Sequence, residues 1–379
     1  MSEGVFIFGS SKSFLLKIAI LADALDDQYA GVHYYTRQLV EALDRQNENH
    51  SILLLRPTAG TEKWKTCETL VLPKLNFPGA QAWRFFVQIP AALRRWKPDV
   101  VIEPGHFGPF NLPGGVKRAT VIHDLTPLLF PEMHRWHSQV LQKIFLPSIL
   151  KKAHYIFTNS EYTRGDLIRY FPGTEAKTHV LLPGKEPGFE KKTNPAILKK
   201  YGIGQPYLLF IGTFEPRKNL PDLIEAFGRF KARGFPHQLV LVGKKGWHYA
   251  AIETAIEESP FREQIIVPGY VERADLPVLF TMAQAFVYPS QYEGFGLPVL
   301  ESMICGTPVI TTDVSSLPEV AGAAALYAKP GDVESLTTQI IRIVSDDSLR
   351  QKLAAAGSER AKLFDWDETA RKMIEVLIR

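Results

Sequence analysis

The stretch Tyr292-Glu293-Gly294-Phe295-Gly296-Leu297-Pro298-Val299-Leu300-Glu301 sets two carboxylates eight positions apart around a glycine-rich turn and the start of a helix. Pro298 suits the first helical position, and Leu297, Leu300 and Ile304 recur at helical spacing, so a helix is expected from about Leu297. Glu301 then lies one turn inside that helix and Glu293 stands on the loop leading into it. Gly294 and Gly296 lack the side chains that would keep a ligand from the loop's backbone N–H groups, and the unpaired N–H groups of the helix's first turn point the same way. Together these make an anion site suited to a diphosphate. Two carboxylates beside a diphosphate repel it unless they accept hydrogen bonds from hydroxyls on either side. A nucleotide sugar offers such hydroxyls, on its ribose and on its hexose. A bare pair of glutamates at this spacing is more often solvated; the Gly-Phe-Gly-Leu-Pro interior and the following Cys305-Gly306-Thr307-Pro308-Val309-Ile310 set this pair apart.

Outward from this stretch, short apolar runs alternate with helical patterns, the habit of parallel α/β sheets. Lys17–Ala22, Ser51–Arg56, Asp99–Glu103, Ala119–His123, His154–Asn159 and Thr178–Leu182 read as strands of one sheet. Tyr207–Gly212, Gln238–Gly243, Gln264–Pro268, Ala285–Pro289 and Pro308–Thr312 read as strands of a second. Between the series, Pro183 to Pro195 is rich in Pro, Gly and charge and reads as an interdomain linker. Two doubly wound domains joined in this way present a cleft at the carboxyl ends of their strands, where open α/β sheets bind ligands.

The bulk composition bounds the rest. The chain has 379 residues, 45% hydrophobic and 22% charged, enough for two or three folded domains. A net charge of +4, from 44 basic and 40 acidic residues, gives no nucleic-acid signal. Cys67 and Cys305 are the only cysteines and stand far apart, which argues against a disulfide scaffold or a zinc site and for a reducing, cytoplasmic setting. The apolar run Val5-Phe6-Ile7-Phe8 is too short for a leader, and no window has the length to cross a bilayer.

With its Glu-x7-Glu pattern and Gly-Phe-Gly-Leu-Pro interior, the sequence resembles glycosyltransferase family 4, from about Lys17 to the end. The resemblance implies the GT-B fold: an acceptor-binding Rossmann-like domain over residues 1–188, a nucleotide-sugar-binding one over 189–358, and a helix within 359–379 crossing back. It implies transfer of a hexosyl unit, mannosyl favoured from the loop His123-Asp124-Leu125-Thr126-Pro127-Leu128, with retention and no tightly bound cofactor. The donor is expected to be a GDP- or UDP-sugar, and the acceptor a glycan or lipid-linked glycan. Within this frame Glu293 is expected near the transferred sugar and Glu301 on the ribose.

Further motifs fall at strand ends. Phe210 to Leu220 contains Gly212, then Arg217 and Lys218, placed to neutralise charge growing on a departing diphosphate, before a helix capped by Asn219. An isolated Arg-Lys pair is usually a solvated patch; its position after Gly212-Thr213, as in the family, favours function. Gly31 in Ala30-Gly31-Val32-His33 would start a helix that approaches the phosphates, although the family often carries two glycines there. His123 ends a strand, and the family's histidine in this context touches the sugar near the reacting carbon; Asp124 is a loop support or an acceptor contact. His106, in Glu103-Pro104-Gly105-His106, is a second acceptor candidate. Tyr270 and Val271 follow Gly269 where the family holds the base largely through backbone groups. Phe295, Gly296 and Leu297 complete the expected donor set.

Two segments resist a single reading. Asp365-Trp366-Asp367 matches an Asp-x-Asp metal motif but reads better as helix capping, so no metal is expected. Gln81 to Lys97 sets aromatics beside Arg84, Arg94, Arg95 and Lys97, either as core-packing helices with basic ends or as an interfacial segment on the inner membrane face. A nucleotide-sugar epimerase and an inactive sugar-nucleotide-binding subunit remain the competing functions. Storage-glucan synthases share parts of the signature, but their extra length and Lys-Thr-Gly-Gly opening are missing.

Overall fold

In a computed structural model of the protein, the alternating runs form two parallel sheets. It describes residues 15–27, 30–47, 49–106, 108–109, 111–131, 136–204 and 206–379, without the side chains of 27, 30 and 136–142. The Val5–Phe8 run lies outside the described residues. The strands are β1 Lys17–Leu21, β2 Ser51–Arg56, β3 Glu68–Val71, β4 Val100–Glu103, β5 Lys117–Ile122, β6 Tyr155–Thr158 and β7 Thr178–Val180, then β8 Tyr207–Ile211, β9 Gln238–Val242, β10 Ile265–Ile266, β11 Ala285–Tyr288, β12 Val309–Thr312 and β13 Ala325–Ala328. The first seven are ordered β3-β2-β1-β4-β5-β6-β7 and the last six β10-β9-β8-β11-β12-β13. Both orders reverse direction beside their first strand, the arrangement that opens a ligand crevice at the strands' carboxyl ends.

The chain divides into two units, one formed by residues up to Ala119 with Ala370–Arg379, the other by Thr120–Thr369. In the first, Ala19, Leu53, Leu93 and Val101 pack into a small core. In the second, Leu208, Phe210, Leu239, Phe286, Val287 and Ile310 anchor a larger one. Strands β4, β8, β11 and β12 are buried at every position, as parallel strands covered on both faces should be.

β3 and β13 escape the sequence pattern. Both lie at sheet edges. Glu-Thr-Leu-Val in β3 is largely exposed, and Ala-Leu-Tyr-Ala in β13 has little of the β-branched content that marks a strand. β10 is also an edge and is held to Ile265–Ile266, shorter than the apolar run around it.

The segment around Trp83 divides its roles. Ile89, Pro90 and Leu93 are buried in the Ile89–Trp96 helix, whereas Trp83, Phe86 and Val87 are exposed. Arg84 is the correction here. It is 2% exposed, bonded to Asp23 and to the carbonyl of Leu72, and so is a core strut in place of a surface cation. Asp365 does cap a helix: its Oδ1 accepts from the Asp367 N–H at 2.8 Å at the start of Trp366–Ile378. Both cysteines are free and buried.

Candidate active site

The chain leaves β8 through Gly212-Thr213-Phe214-Glu215 and makes a tight turn over Pro216–Lys218 before the Leu220–Lys231 helix. Gly212 N–H donates to the Val242 carbonyl and Phe214 N–H to the Lys244 carbonyl, so the β8 exit is stitched to that of β9. Between turn and helix, Asn219 takes a left-handed backbone (φ 55°), which asparagine tolerates better than most residues. Its amide donates to Asp222 at 2.7 Å, so the expected side-chain cap is replaced by a backbone corner. That corner turns Arg217 and Lys218 toward the end of β11.

β11 exits through Ser290 to Glu293. Glu293 Oε1 lies 2.5 Å from Lys218 Nζ and accepts from Ser290 Oγ at 2.6 Å, and its Oε2 lies 2.8 Å from Arg217 Nη1. Lys218 Nζ also donates to the Tyr288 hydroxyl at 2.6 Å, and Arg217 Nε pairs with Glu215 at 2.5 Å. Burial alone would raise the Glu293 pKa, but Arg217, Lys218 and the serine bond overcome it and hold the carboxyl down at about 2. Lys218 is pushed below the usual lysine range by burial and the neighbouring Arg217, with Glu293 opposing. Glu215 is raised, chiefly by burial. The result is a buried cluster of two cations and two carboxylates at the strand-order switch between β8 and β11.

The loop carrying Glu293 is fixed from several sides. Ser160 Oγ lies 2.6 Å and Thr163 Oγ1 3.1 Å from the Gly294 carbonyl. Glu293 N–H donates to Ser315 Oγ at 2.9 Å, and Ser316 Oγ is within 2.9 Å of the carbonyls of Glu293 and Phe295. Tyr292 donates to Asp166 at 2.6 Å and meets Phe130 and Tyr162 edge-on. A Cβ on Gly294 would fall 1.9 Å from the His123 carbonyl. The glycine is therefore required by protein backbone at its back, a different reason from the ligand access read in the sequence. Gly296, at φ 101°, supplies the left-handed corner from which the Leu297–Ile304 helix begins. Phe295 is buried against Phe364, and Leu297 is half-buried.

Glu301 belongs to a second group of charges. Its Oε1 lies 2.5 Å from Arg273 Nη2, and the same nitrogen reaches Glu186. Burial raises the Glu301 pKa, with Arg273 opposing and Glu186 adding to the rise. Tyr270, near Arg273 in the chain, is exposed, with Lys244 Nζ 5.9 Å from its ring, and Val271 is buried.

Arg217, Lys218 and Glu293 thus gather at one place within the second unit, and the backbone carbonyl of His123 lies against the neighbouring Gly294. Asp124 Oδ1 accepts from Thr126 N–H and Oγ1 at 3.0 and 2.7 Å, supporting its own loop. Gly31 and His106 belong to the first unit: Gly31 is the second residue of the Ala30–Gln46 helix, and His106 follows β4 with φ 68°. Sequence reasoning gave no role to Glu215, Tyr288, Ser290, Ser316, Arg273 or Glu186. Glu215, two residues before Arg217, and Ser290, three before Glu293, stood beside the motifs; Tyr288 ends β11, and Ser316, Arg273 and Glu186 come from segments farther off in the chain with no periodic mark.

Known proteins agree with this architecture. Residues 29–187 match the family described as Glycosyltransferase Family 4, and residues 193–360 match Glycosyl transferases group 1. The chain is 36% identical over 307 residues to the O-antigen chain mannosyltransferase B of Escherichia coli, covering 79% of this chain and 77% of that protein. It is 28% identical to the serotype-specific mannosyltransferase WbdA of Escherichia coli, where it spans 33% of the relative's length. The Anabaena Alr3699/HepE structure in complex with UDP and glucose superposes with a TM-score of 0.76 at 17% identity, covering 96% of this chain and 99% of that one. The chain accordingly belongs to the group 1, family 4 glycosyltransferases, with their GT-B type of α/β fold.

Proposed function

We propose that the protein is a retaining hexosyltransferase that moves a mannosyl unit from a GDP- or UDP-sugar to a hydroxyl of a glycan or lipid-linked glycan, in O-antigen or related polysaccharide synthesis. The observation that carries this reading is Glu293 held between Arg217 and Lys218 at the ends of β8 and β11. In the donor complex the diphosphate takes up the two cations, and Glu293 turns to hydroxyls of the sugar. Cleavage of the anomeric C–O bond leaves charge on the diphosphate, where Arg217 and Lys218 stabilise it. The acceptor oxygen bonds to the same face of the anomeric carbon, and its proton passes to a phosphate oxygen, so no protein nucleophile is required. The carbonyl of His123 backs onto Gly294, and in this proposal the histidine ring meets the transferred sugar near the reacting carbon. The mannosyl assignment is supported by the relatives above and by the run His123–Leu128.

Residues 1–188 then serve the acceptor, with His106 and Asp124 as its contacts, and residues 189–358 the donor. Gly31, Gly212, Tyr270, Val271 and the Gly294–Leu297 run complete the donor set, and the helix within 359–379 joins the acceptor half. Calorimetry with GDP-, UDP- and ADP-sugars, followed by product analysis, tests the reading. Release of nucleoside diphosphate only when acceptor is present favours transfer over epimerisation, and binding without turnover would leave a sugar-nucleotide-binding subunit. With Arg217 and Lys218 supplying the positive charge, activity should survive a chelator; full loss restored only by manganese would overturn that balance.

Peripheral contact with the inner membrane face belongs to the same proposal. Trp83, Phe86 and Val87 are exposed, as are Arg94, Arg95 and Lys97, a pairing suited to anionic headgroups. Among the described residues no helix is long and apolar enough to cross a membrane. Co-sedimentation of the full chain with phosphatidylglycerol vesicles, abolished by Trp83→Ser with Phe86→Ser, supports the contact. Equal sedimentation of wild type and variant removes it.

A further inference from the structure

Arg273 opens the short turn Arg273–Asp275, a few residues beyond Tyr270 and Val271. Its guanidinium carbon lies over the Phe189 ring, 4.3 Å from the ring centre. One nitrogen, Nη2, then meets two carboxylates: Glu301 Oε1 at 2.5 Å on the Leu297–Ile304 helix, and Glu186 in the segment that follows β7. Arg273 therefore lies over Phe189, with its tip between a glutamate of that segment and a glutamate of the Leu297–Ile304 helix.

We infer that Arg273 is a positioning residue for donor binding, holding the Glu301 carboxylate where it meets the ribose and tying it, through Glu186 and Phe189, to the segment between β7 and Pro195. The inference rests on the proposal that Glu301 holds the ribose hydroxyls. The pair with Arg273 uses Oε1 of the carboxylate. A lysine could supply the charge but not the planar, delocalised cation that Arg273 sets over Phe189. Sharing is also significant. Two carboxylates on one guanidinium leave the group short of a positive charge, and whichever glutamate withdraws strengthens Arg273 on the other. Movement of Glu186 is in this way felt at Glu301.

The charged and titratable groups around Glu301 are Arg273, Glu186, the Cys305 thiol one turn along the helix, and Lys192, which acts on that thiol. Burial lifts the Glu301 pKa and Arg273 opposes the lift. Without Arg273 the opposition vanishes. A carboxyl with a raised pKa is ionised only above that value, so binding that needs the carboxylate is kept at high pH and lost as pH falls.

The test is calorimetric affinity of the full chain for GDP or UDP, whichever the wild type binds, from about pH 8.5 to about pH 5.5, beside donor KM and kcat. Arg273→Ala should weaken binding by about tenfold at neutral pH, more as pH falls, and raise donor KM with kcat nearly unchanged. Arg273→Lys should recover part of the loss and flatten the pH profile; it carries the test if the alanine variant does not fold. Glu186→Gln should keep wild-type affinity and make it less sensitive to acid. In a Glu301→Ala background Arg273→Ala should add nothing further, because both act through one carboxylate. Wild-type affinity and pH profile in Arg273→Lys and Arg273→Ala would overturn the inference, as would additive losses in the double variant. If Glu301→Ala alone leaves affinity intact, the ribose reading falls instead, and Arg273 with it.

Discussion

Glu293 and Glu301 are both at least nine-tenths buried, yet their surroundings drive them in opposite directions. Glu293 has a cation on each oxygen and a serine besides, and stays ionised far into acid. Glu301 has one guanidinium, shared with Glu186, and is pushed up. Burial is common to both, so the number of cations per carboxylate decides the sign. Glu293 is a fixed negative charge between two cations, which under the proposed function pass to the diphosphate. Glu301 is a carboxylate whose charge is only partly offset.

The strongest way to break this contrast is Glu293→Gln. It strips a shared counter-charge from Arg217 and Lys218, so stability should fall by about 3–5 kcal/mol in chemical denaturation. Turnover should fall by roughly 10²–10³, while affinity for the free nucleoside diphosphate is kept or improved, because both cations are released to it. A loss of affinity as large as that of Glu301→Ala would erase the distinction. Next in size, Glu301→Ala should weaken nucleoside diphosphate binding by roughly 1.5–3 kcal/mol by calorimetry, with kcat at saturating donor changed by no more than about threefold.

Acid titration sharpens the comparison further. The depressed pKa of Glu293 gives stability that is present above the ordinary value of 4.5 and is lost as pH falls toward about 2. The denaturation gap between wild type and Glu293→Gln should therefore close over that window. The raised pKa of Glu301 has the reverse sign: its ionisation opposes folding, a cost that grows as pH rises from the ordinary value through the raised one. Glu301→Gln should match the wild type in acid and gain on it toward neutral pH. A parallel pH response of the two glutamine variants would show that their environments are alike. The smallest effect concerns the loop alone. Ser316→Ala removes the hydroxyl that meets the Glu293 and Phe295 carbonyls, and should cost about 1 kcal/mol of stability and lower kcat slightly without changing nucleotide affinity.

The amino-acid sequence by itself determined the layered α/β plan, because strands buried on both faces must be continuous apolar runs and their spacing by helices is a local property. It also determined the turn and helix around Glu293 and Glu301, through Gly296, Pro298 and the helical spacing of Leu297, Leu300 and Ile304. The edge strands Glu68–Val71 and Ala325–Ala328 were not legible, since an edge needs only one neighbour and little apolar pattern. Only the tertiary structure decided which charges meet. The pairs that set the two glutamates join residues far apart in the chain, 75 positions for Lys218 and Glu293 and 28 for Arg273 and Glu301, and no local period encodes them. It also showed that Gly294 is a glycine because the His123 carbonyl lies at its back, that Arg84 is a buried strut, and that Arg273 joins Glu186 to Glu301. Residue types and their order fix what a segment does alone; the electrostatic state of a carboxylate is set by whichever cations the folded backbone brings to it.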